Sequence, residues 1–213
     1  MGFALEHLTK SKEFWRNVVY SDEKTFSSAG MYDKFVYRKK GTRFENKNII
    51  KSKKNGRVDV CLWGYITEYR VGELVEVDGT LNSEKYINIL KEHLILSLKI
   101  SAPENSPYYF LQDNSSIHKS KIVMDLIENC EDQILIKNWP TRSPDLNPIE
   151  NLWAYMARKW DNNIQKSRKS VVNQAITIWE SLRGSPEFTE KLADSMPNRL
   201  LKVIEANGSV TKY

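Results

Sequence analysis

The sequence predicts an α/β domain built on a mixed central sheet flanked by helices. Three observations carry that expectation. The chain opens with alternating apolar runs separated by turns, continues with a long segment whose apolar residues recur at three- and four-residue steps, and then shows a short apolar run followed by further helical periodicity. At 213 residues and 40% hydrophobic content it suffices for one well-buried domain and hardly for two.

Each element can be justified in order. Val18 to Phe26 reads as a strand, and Lys34 to Arg38, reached through a turn containing Gly30, as its hairpin partner. Val58 to Thr67 is the third strand of a meander, and Glu73 to Val77 extends that sheet or adds a short hairpin. Asn82-Ser83-Glu84 opens a helix in which Tyr86, Ile87, Leu90, Leu94, Ile95 and Leu98 form the stripe of a helix lying on a sheet. Tyr108 to Gln112 is a short apolar strand ending at Asp113. A helix around Lys119 to Cys130, a strand from Gln133 to Lys137, a turn-rich stretch from Trp139 to Pro144 and a helix opening at Pro148 follow. Two further helices are expected, near Ser170 to Arg183 and Ser185 to Ala206. Meander, helix, strand, helix, strand and helical tail is the order of a ribonuclease H-like fold.

Composition narrows the function classes. No apolar run reaches the roughly 18 residues a membrane span needs, and the N-terminus lacks a signal-peptide pattern, so a soluble intracellular protein with no membrane partner is expected. Cys61 and Cys130 are too few and too far apart for a disulfide framework or a four-ligand zinc site, and read as reduced, buried thiols. The formal charge of +5 is very uneven along the chain. Residues 38 to 57 hold nine basic residues, Arg38, Lys39, Lys40, Arg43, Lys47, Lys51, Lys53, Lys54 and Arg57, against the single acid Glu45. A smaller basic run, Arg158, Lys159, Lys166, Arg168 and Lys169, lies further on with Asp161. Taken alone, a Lys-rich run is a solvated loop; flanking a set of acids, such runs suit a phosphodiester-processing enzyme, because cations hold the nucleic-acid backbone and release counterions.

Three acids stand at the edges of apolar elements: Asp22 in the first strand, Asp113 at the end of the Tyr108 to Gln112 strand, and Glu150 in the run from Ser143 to Trp153. The element order makes the first strand central and the Asp113 strand its parallel neighbour, so Asp22 and Asp113 can face one another while Glu150 arrives from a helix packed across them. Hard oxygen ligands of this kind suit Mg²⁺ or Mn²⁺. Two ions about 3.5–4 Å apart would serve in-line phosphodiester cleavage or exchange. Each acid also has a structural explanation. Asn147 at N-cap, Pro148 at N1 and Glu150 at N3 fit a capping box, Asp113-Asn114 fits an Asx-type turn, and Ser21-Asp22-Glu23 fits a polar strand edge. His118 reads as a hydrogen-bonding residue at a helix start rather than a ligand, and Trp63, Trp139 and Trp153 read as core without chemistry.

Ser21-Asp22-Glu23, Val36 to Gly41, Trp63-Gly64, Gln112-Asp113-Asn114 with His118, Trp139-Pro140, Ser143 through Trp153, Asp194 to Pro197 and Thr211-Lys212-Tyr213 together resemble the mariner superfamily of cut-and-paste DNA transposases, from about Leu5 to Tyr213. The Ser-Pro-Asp-Leu-Asn-Pro-Ile-Glu-Asn-Leu-Trp run is the most specific piece. The resemblance implies a DDE-type catalytic domain over residues 17–213 in which Asp22, Asp113 and Glu150 bind two Mg²⁺ ions, with Mn²⁺ able to substitute. It also implies cleavage of double-stranded DNA at transposon ends, joining of the 3′ ends into target DNA at a TA step, a homodimer in the DNA complex, and a nuclear location. Residues 1–16 are expected as a linker from an N-terminal DNA-binding region, and 38–57 as a basic loop reaching DNA and the partner subunit. Arg38, Lys39, Lys40, Arg43, Lys51, Lys53, Lys54, Arg57, Arg158, Lys159 and Arg168 are the candidate DNA contacts.

Two departures from the family pattern stand out. The spacing between Asp113 and Glu150 is two residues longer than usual, and the excess falls near Asn129 to Gln133, a loop between helix and strand. The family's Gly-rich stretch before Trp-Gly is replaced by Lys53-Lys54-Asn55-Gly56-Arg57, which leaves Gly56 to supply the backbone freedom. A domesticated relative that binds DNA or protein without cutting, and a general nuclease of the same fold, are the alternatives. Retention of all three acids speaks against the first and the Ser143 to Trp153 run against the second.

Overall fold

The structure, a computed structural model, describes residues 1–30, 42, 45, 56–101, 108–130, 135–141, 143–209 and 211, with backbone alone at 101 and 135–138. Five strands form one mixed sheet: β1 (Val18–Ser27), β2 (Asp59–Ile66), β3 (Val71–Val77), β4 (Tyr109–Gln112) and β5 (Leu135–Asn138), in the order β3-β2-β1-β4-β5. β1 and β3 each pair antiparallel with β2, whereas β4 is parallel to both β1 and β5. The central place of β1 and its parallel neighbour β4 match the sequence expectation. The hairpin partner expected at Lys34 to Arg38 lies outside the described residues.

Successive residues of a strand point to opposite faces, and in β1 both Val18 and Val19 are fully buried, so both faces are covered. One face packs Tyr20, Phe26 and Leu62 against Trp153, Met156 and Trp179. The other packs Val19, Trp63 and Phe110 against Tyr86, Leu90 and Val123. Asp22 and Lys24 share the parity of Tyr20 and Phe26, and Glu23 has that of Val19. The strand therefore sends its acids to different sides.

The helices are α1 (Gly2–His7), α2 (Lys12–Arg16), α3 (Ser83–Ile89), α4 (Leu96–Ser101), α5 (Lys121–Glu128), α6 (Ile149–Lys159), α7 (Arg168–Arg183), α8 (Pro186–Asp194) and α9 (Met196–Glu205). Asn82 caps α3, its Oδ1 accepting from the Lys85 amide at 2.9 Å. A π-helical turn, Leu90–Ile95, joins α3 to α4. Tyr86, Leu90, Leu94 and Leu98 are all buried at four-residue steps. In a regular α-helix such a series drifts by about 40° per step, and a wider turn absorbs the drift and keeps the stripe on the sheet.

Residues 1–16, expected as a linker, carry α1 and α2, which pack on α9 and α8 and bury Ala4 and Trp15 in the core. Arg16 fixes that contact with a two-pronged bond to Asp194, 3.0 Å from Nε to Oδ1 and 3.1 Å from Nη2 to Oδ2. The helix expected over Ser185 to Ala206 is two helices, broken at Ser195. Pro197 offers no N–H for continuous winding, and Ser195 turns its hydroxyl onto the Leu192 carbonyl at 2.6 Å. Cys61 and Cys130 are free thiols but partly exposed rather than buried. Gly56 does adopt the left-handed backbone its position required, at φ 76°.

Candidate active site

The site begins with the register of the central strand. Tyr20 pairs with Leu111, so two residues further on Asp22 stands level with Asp113, just past the end of β4. On its other side Asp22 pairs with Gly64. A Cβ on Gly64 would come within 2.8 Å of Trp179 and 3.1 Å of Trp153, so the absent side chain lets both indoles lie against the sheet. Trp153 and Trp179 stack with centroids 5.2 Å apart, and the Trp153 indole N–H donates to Asp22 Oδ2 at 3.2 Å. Trp153 thus has a role beyond core packing, which its place in a hydrophobic helix stripe did not reveal.

Glu150 enters from the first turn of α6. The expected capping box does not form, because Pro148 occupies the cap position and offers no side-chain bond. Asn147 Oδ1 instead accepts from the Ile149 amide at 3.4 Å, and Asn147 Nδ2 donates to the Ser21 carbonyl at 3.2 Å, tying this helix start to β1 beside Asp22. The Glu150 carboxylate accepts from Lys24 Nζ at 3.1 Å. Arg199, on α9 and only 2% exposed, braces the chain before and after Glu150. Its guanidinium donates to the Asp145 carbonyl and to Asn151 Oδ1, both at 2.7 Å, and to Ser195 Oγ at 2.7 Å. Asp145 in turn accepts from the amide and hydroxyl of Thr211, at 3.1 and 2.8 Å. Ser195 and Thr211, one from each closing motif, therefore serve the Glu150 turn from a distance.

Electrostatics distinguish the acids. Asp22 is pushed up from the ordinary carboxylate value to about 7, first by burial and next by the charges of Glu150 and Glu23. Asp113 moves the other way: its hydrogen bond with His118 is the main cause and outweighs burial. His118 Nδ1 lies 2.6 Å from Asp113 Oδ1, its Nε2 lies 3.3 Å from Glu23 Oε1, and its ring stacks on Tyr86 at 4.1 Å. Burial alone would push His118 down, but the Asp113 and Glu23 contacts raise it to about 9. It hydrogen-bonds Asp113 and pairs with Glu23.

The structure thus brings Asp22 and Glu150 together on one face and holds Asp113 on His118. Among the described residues no three His, Cys, Asp or Glu side chains form a ready cage for an ion. The donor chemistry fits a hard divalent cation all the same. It is all oxygen, and burial together with the neighbouring Glu150 charge makes Asp22 keep its proton to about 7.

Of the basic candidates, Arg38, Lys39, Lys40, Arg43, Lys51, Lys53 and Lys54 lie outside the described residues. Arg57 is exposed and bonded to Asp59 at 2.7 Å. Arg158 and Lys159 are exposed at the end of α6, with Lys159 Nζ 5.9 Å from the Tyr155 ring centroid. Arg168 is engaged by Glu76 and, at 3.4 Å, by Asp78. Its guanidinium is already committed to these acids.

Comparison with known proteins decides the family. The model of the DDE superfamily endonucleases matches residues 17–172. The chain is 31% identical to the Tc1 transposase of Caenorhabditis elegans over its whole length and 76% of that protein, and 32% identical to the Tc3 transposase of the same organism, of which it covers 64%. This chain belongs to the DDE superfamily endonucleases, in the mariner-type transposase branch. The fold agrees: the catalytic domain of Mos1 transposase, in a structure with raltegravir and magnesium, superimposes with a TM-score of 0.75 at 19% identity, covering 99% of this chain and 94% of that one. Mos1 transposase in a paired-end complex with its left transposon end gives 0.76 at 21% identity, with this chain spanning 60% of it. The chain is accordingly a transposase catalytic domain, a DDE-type enzyme with a ribonuclease H-like fold.

Proposed function

We propose that this DDE domain cleaves double-stranded DNA at transposon ends and joins the freed 3′ ends to target DNA at TA steps, in the nucleus and as a homodimer on DNA. Asp22, Asp113 and Glu150 would hold the divalent ions, Mg²⁺ with Mn²⁺ able to substitute. The solved relatives support the reading, since Mos1 has been captured with transposon-end DNA and with both magnesium and manganese. Two such ions would supply Lewis acidity at the attacking and leaving oxygens of an in-line displacement.

The chain's own residues set the stage for that chemistry. Trp153 holds one oxygen of Asp22. Asn147 and Arg199 fix the turn that carries Glu150. Arg158 and Lys159, exposed beyond that helix, and the basic residues of 38–57 would take the phosphate backbone, with binding that weakens steeply as salt rises. The single observation that carries the reading is the meeting of acids at the centre of the sheet: half-buried Asp22 on the central strand stands level with Asp113 past the end of β4 and next to Glu150 from the first turn of α6. An acid pair so placed costs stability unless a cation serves it.

The test is a TA-containing duplex incubated with the chain and Mn²⁺ or Mg²⁺. Nicking or joining is expected from the wild type, with Asp113→Ala reduced to background while its circular dichroism stays native. Equal activity in wild type and variant would sink the assignment. A nuclear signal from the tagged chain in its host cells is expected as well.

A further inference from the structure

Lys24 lies two residues beyond Asp22 on the same face of β1, and its Nζ is 3.1 Å from Glu150 Oε2. Asp22, the other acid of the crowded pair, is bonded on this face by the neutral Trp153 indole. A two-acid cluster here has an ammonium group on one member and a neutral donor on the other. The ion pair is open to water, with Lys24 and Glu150 side chains 36% and 33% exposed. That exposure decides its character: a half-solvated lysine pair is weak and exchangeable, unlike a sealed one.

We infer that Lys24 is the resident counter-ion of Glu150 and gives way when a divalent cation enters, so that it sets the affinity of the site for metal. The inference rests on the metal-binding reading of Asp22, Asp113 and Glu150 given above. Lys24 acts here as a positioning residue, through Glu150. In the metal-free protein it holds the Glu150 carboxylate toward β1 and offsets its repulsion with Asp22. Against an entering ion it is a like charge on the same carboxylate, and the ion must displace it. A doubly charged cation gains about twice the attraction that a singly charged one does at equal distance, so Lys24 also biases the site against monovalent ions. Once displaced, its ammonium stays tethered two residues from Asp22.

The experiment is a Mn²⁺ titration of the full chain, reading free Mn²⁺ by electron paramagnetic resonance, alongside thermal melts without metal. Wild type, Lys24→Met, Lys24→Arg and Asp22→Asn are compared at fixed pH and ionic strength. Lys24→Met is expected to bind Mn²⁺ roughly three- to thirtyfold more tightly while melting lower in its absence, because the repulsion is gone and Glu150 stands unpaired. Lys24→Arg keeps the charge and should restore the wild-type dissociation constant. A merely structural lysine would lower the melting point of Lys24→Met and leave the affinity unchanged; that result, or weaker binding, overturns the inference while leaving the metal site standing. If Asp22→Asn binds Mn²⁺ as well as the wild type, the metal reading itself falls and this inference with it.

Discussion

Asp22 and Glu23 are neighbours on one strand, yet they face opposite sides of the sheet and meet opposite electrostatic conditions. On the Glu23 side a buried histidine, raised to about 9, sits between Glu23 and Asp113, so the acids there have a protein cation built for them. On the Asp22 side an acid meets an acid, and the available ammonium is a half-exposed lysine bonded to Glu150. Folding has resolved the charges on one face and left them in conflict on the other. Conflict of that kind is the mark of a place where a ligand completes the structure.

The sharpest way to break this contrast is Asp22→Asn, studied with chelator present. An unfolded aspartate ionises near 3.9, whereas Asp22 in the folded chain ionises only near 7. Between those values the unfolded state sheds a proton that the folded state keeps, so the wild type loses stability as pH rises from about 4 to about 7. The substituted amide has no proton to shed in either state. The variant should therefore be the more stable protein at pH 8, by up to ~4 kcal/mol, with the advantage vanishing toward pH 4. Urea denaturation at both pH values measures this. A variant no more stable than wild type at pH 8 would mean that Asp22 is not in conflict at all.

A second, smaller effect tests the floor of the same face. Gly64→Ala places a methyl within 2.8 Å of Trp179 and 3.1 Å of Trp153, aromatic rings that are fully buried and stacked on each other. Overpacking of this kind costs about 1–3 kcal/mol. Because Trp153 carries the indole bond to Asp22, the variant should also perturb metal response more than an equally destabilising change on the opposite face. Thermal melts with and without Mn²⁺ would show it, and equal metal-induced shifts in the two variants would count against the role given to Trp153.

The contrast between faces was only half legible in the sequence. Alternation and turn signals were enough to place β1, β2, β4 and α6, because strand period and helix stripe are local properties of the chain. The parity of Asp22, Glu23 and Lys24 follows from the same alternation. What could not be read was which side chain would meet which across the fold. Glu150 looked equally suited to cap its own helix, and the choice fell to Lys24, 126 residues away in sequence. Trp153 had the burial of a core residue, and the direction of its N–H depends on Gly64 letting the ring lie flat. Arg199 gave no signal either: its acceptors on Asp145, Asn151 and Ser195 are assembled only by the packing of α9. The break at Ser195 was legible in Pro197, whose missing N–H is at odds with one continuous helix.

The smallest expected effect probes the face whose charges are matched. His118→Gln removes the cation shared by Asp113 and Glu23. His118 has its folded value raised from 6.5 to about 9, so its contribution is fully present below pH 6.5 and is lost as pH rises through 9. Asp113 is depressed, so its share is present above the unfolded value near 3.9 and lost as pH falls below it. The pair therefore stabilises most between about pH 4 and 6.5. Asp113 is 56% exposed, and solvent screening limits the gain to about 1 kcal/mol in that window. The deficit of His118→Gln relative to wild type should shrink between about pH 6.5 and 9 and beyond, whereas the advantage of Asp22→Asn is built up between about pH 4 and 7. Urea denaturation across that range measures both. The two faces of one strand would then differ in sign, with a variant more stable than wild type on one face and less stable on the other, and in the pH window where each difference changes. Two variants that are both less stable than wild type at pH 8 would erase the distinction between them.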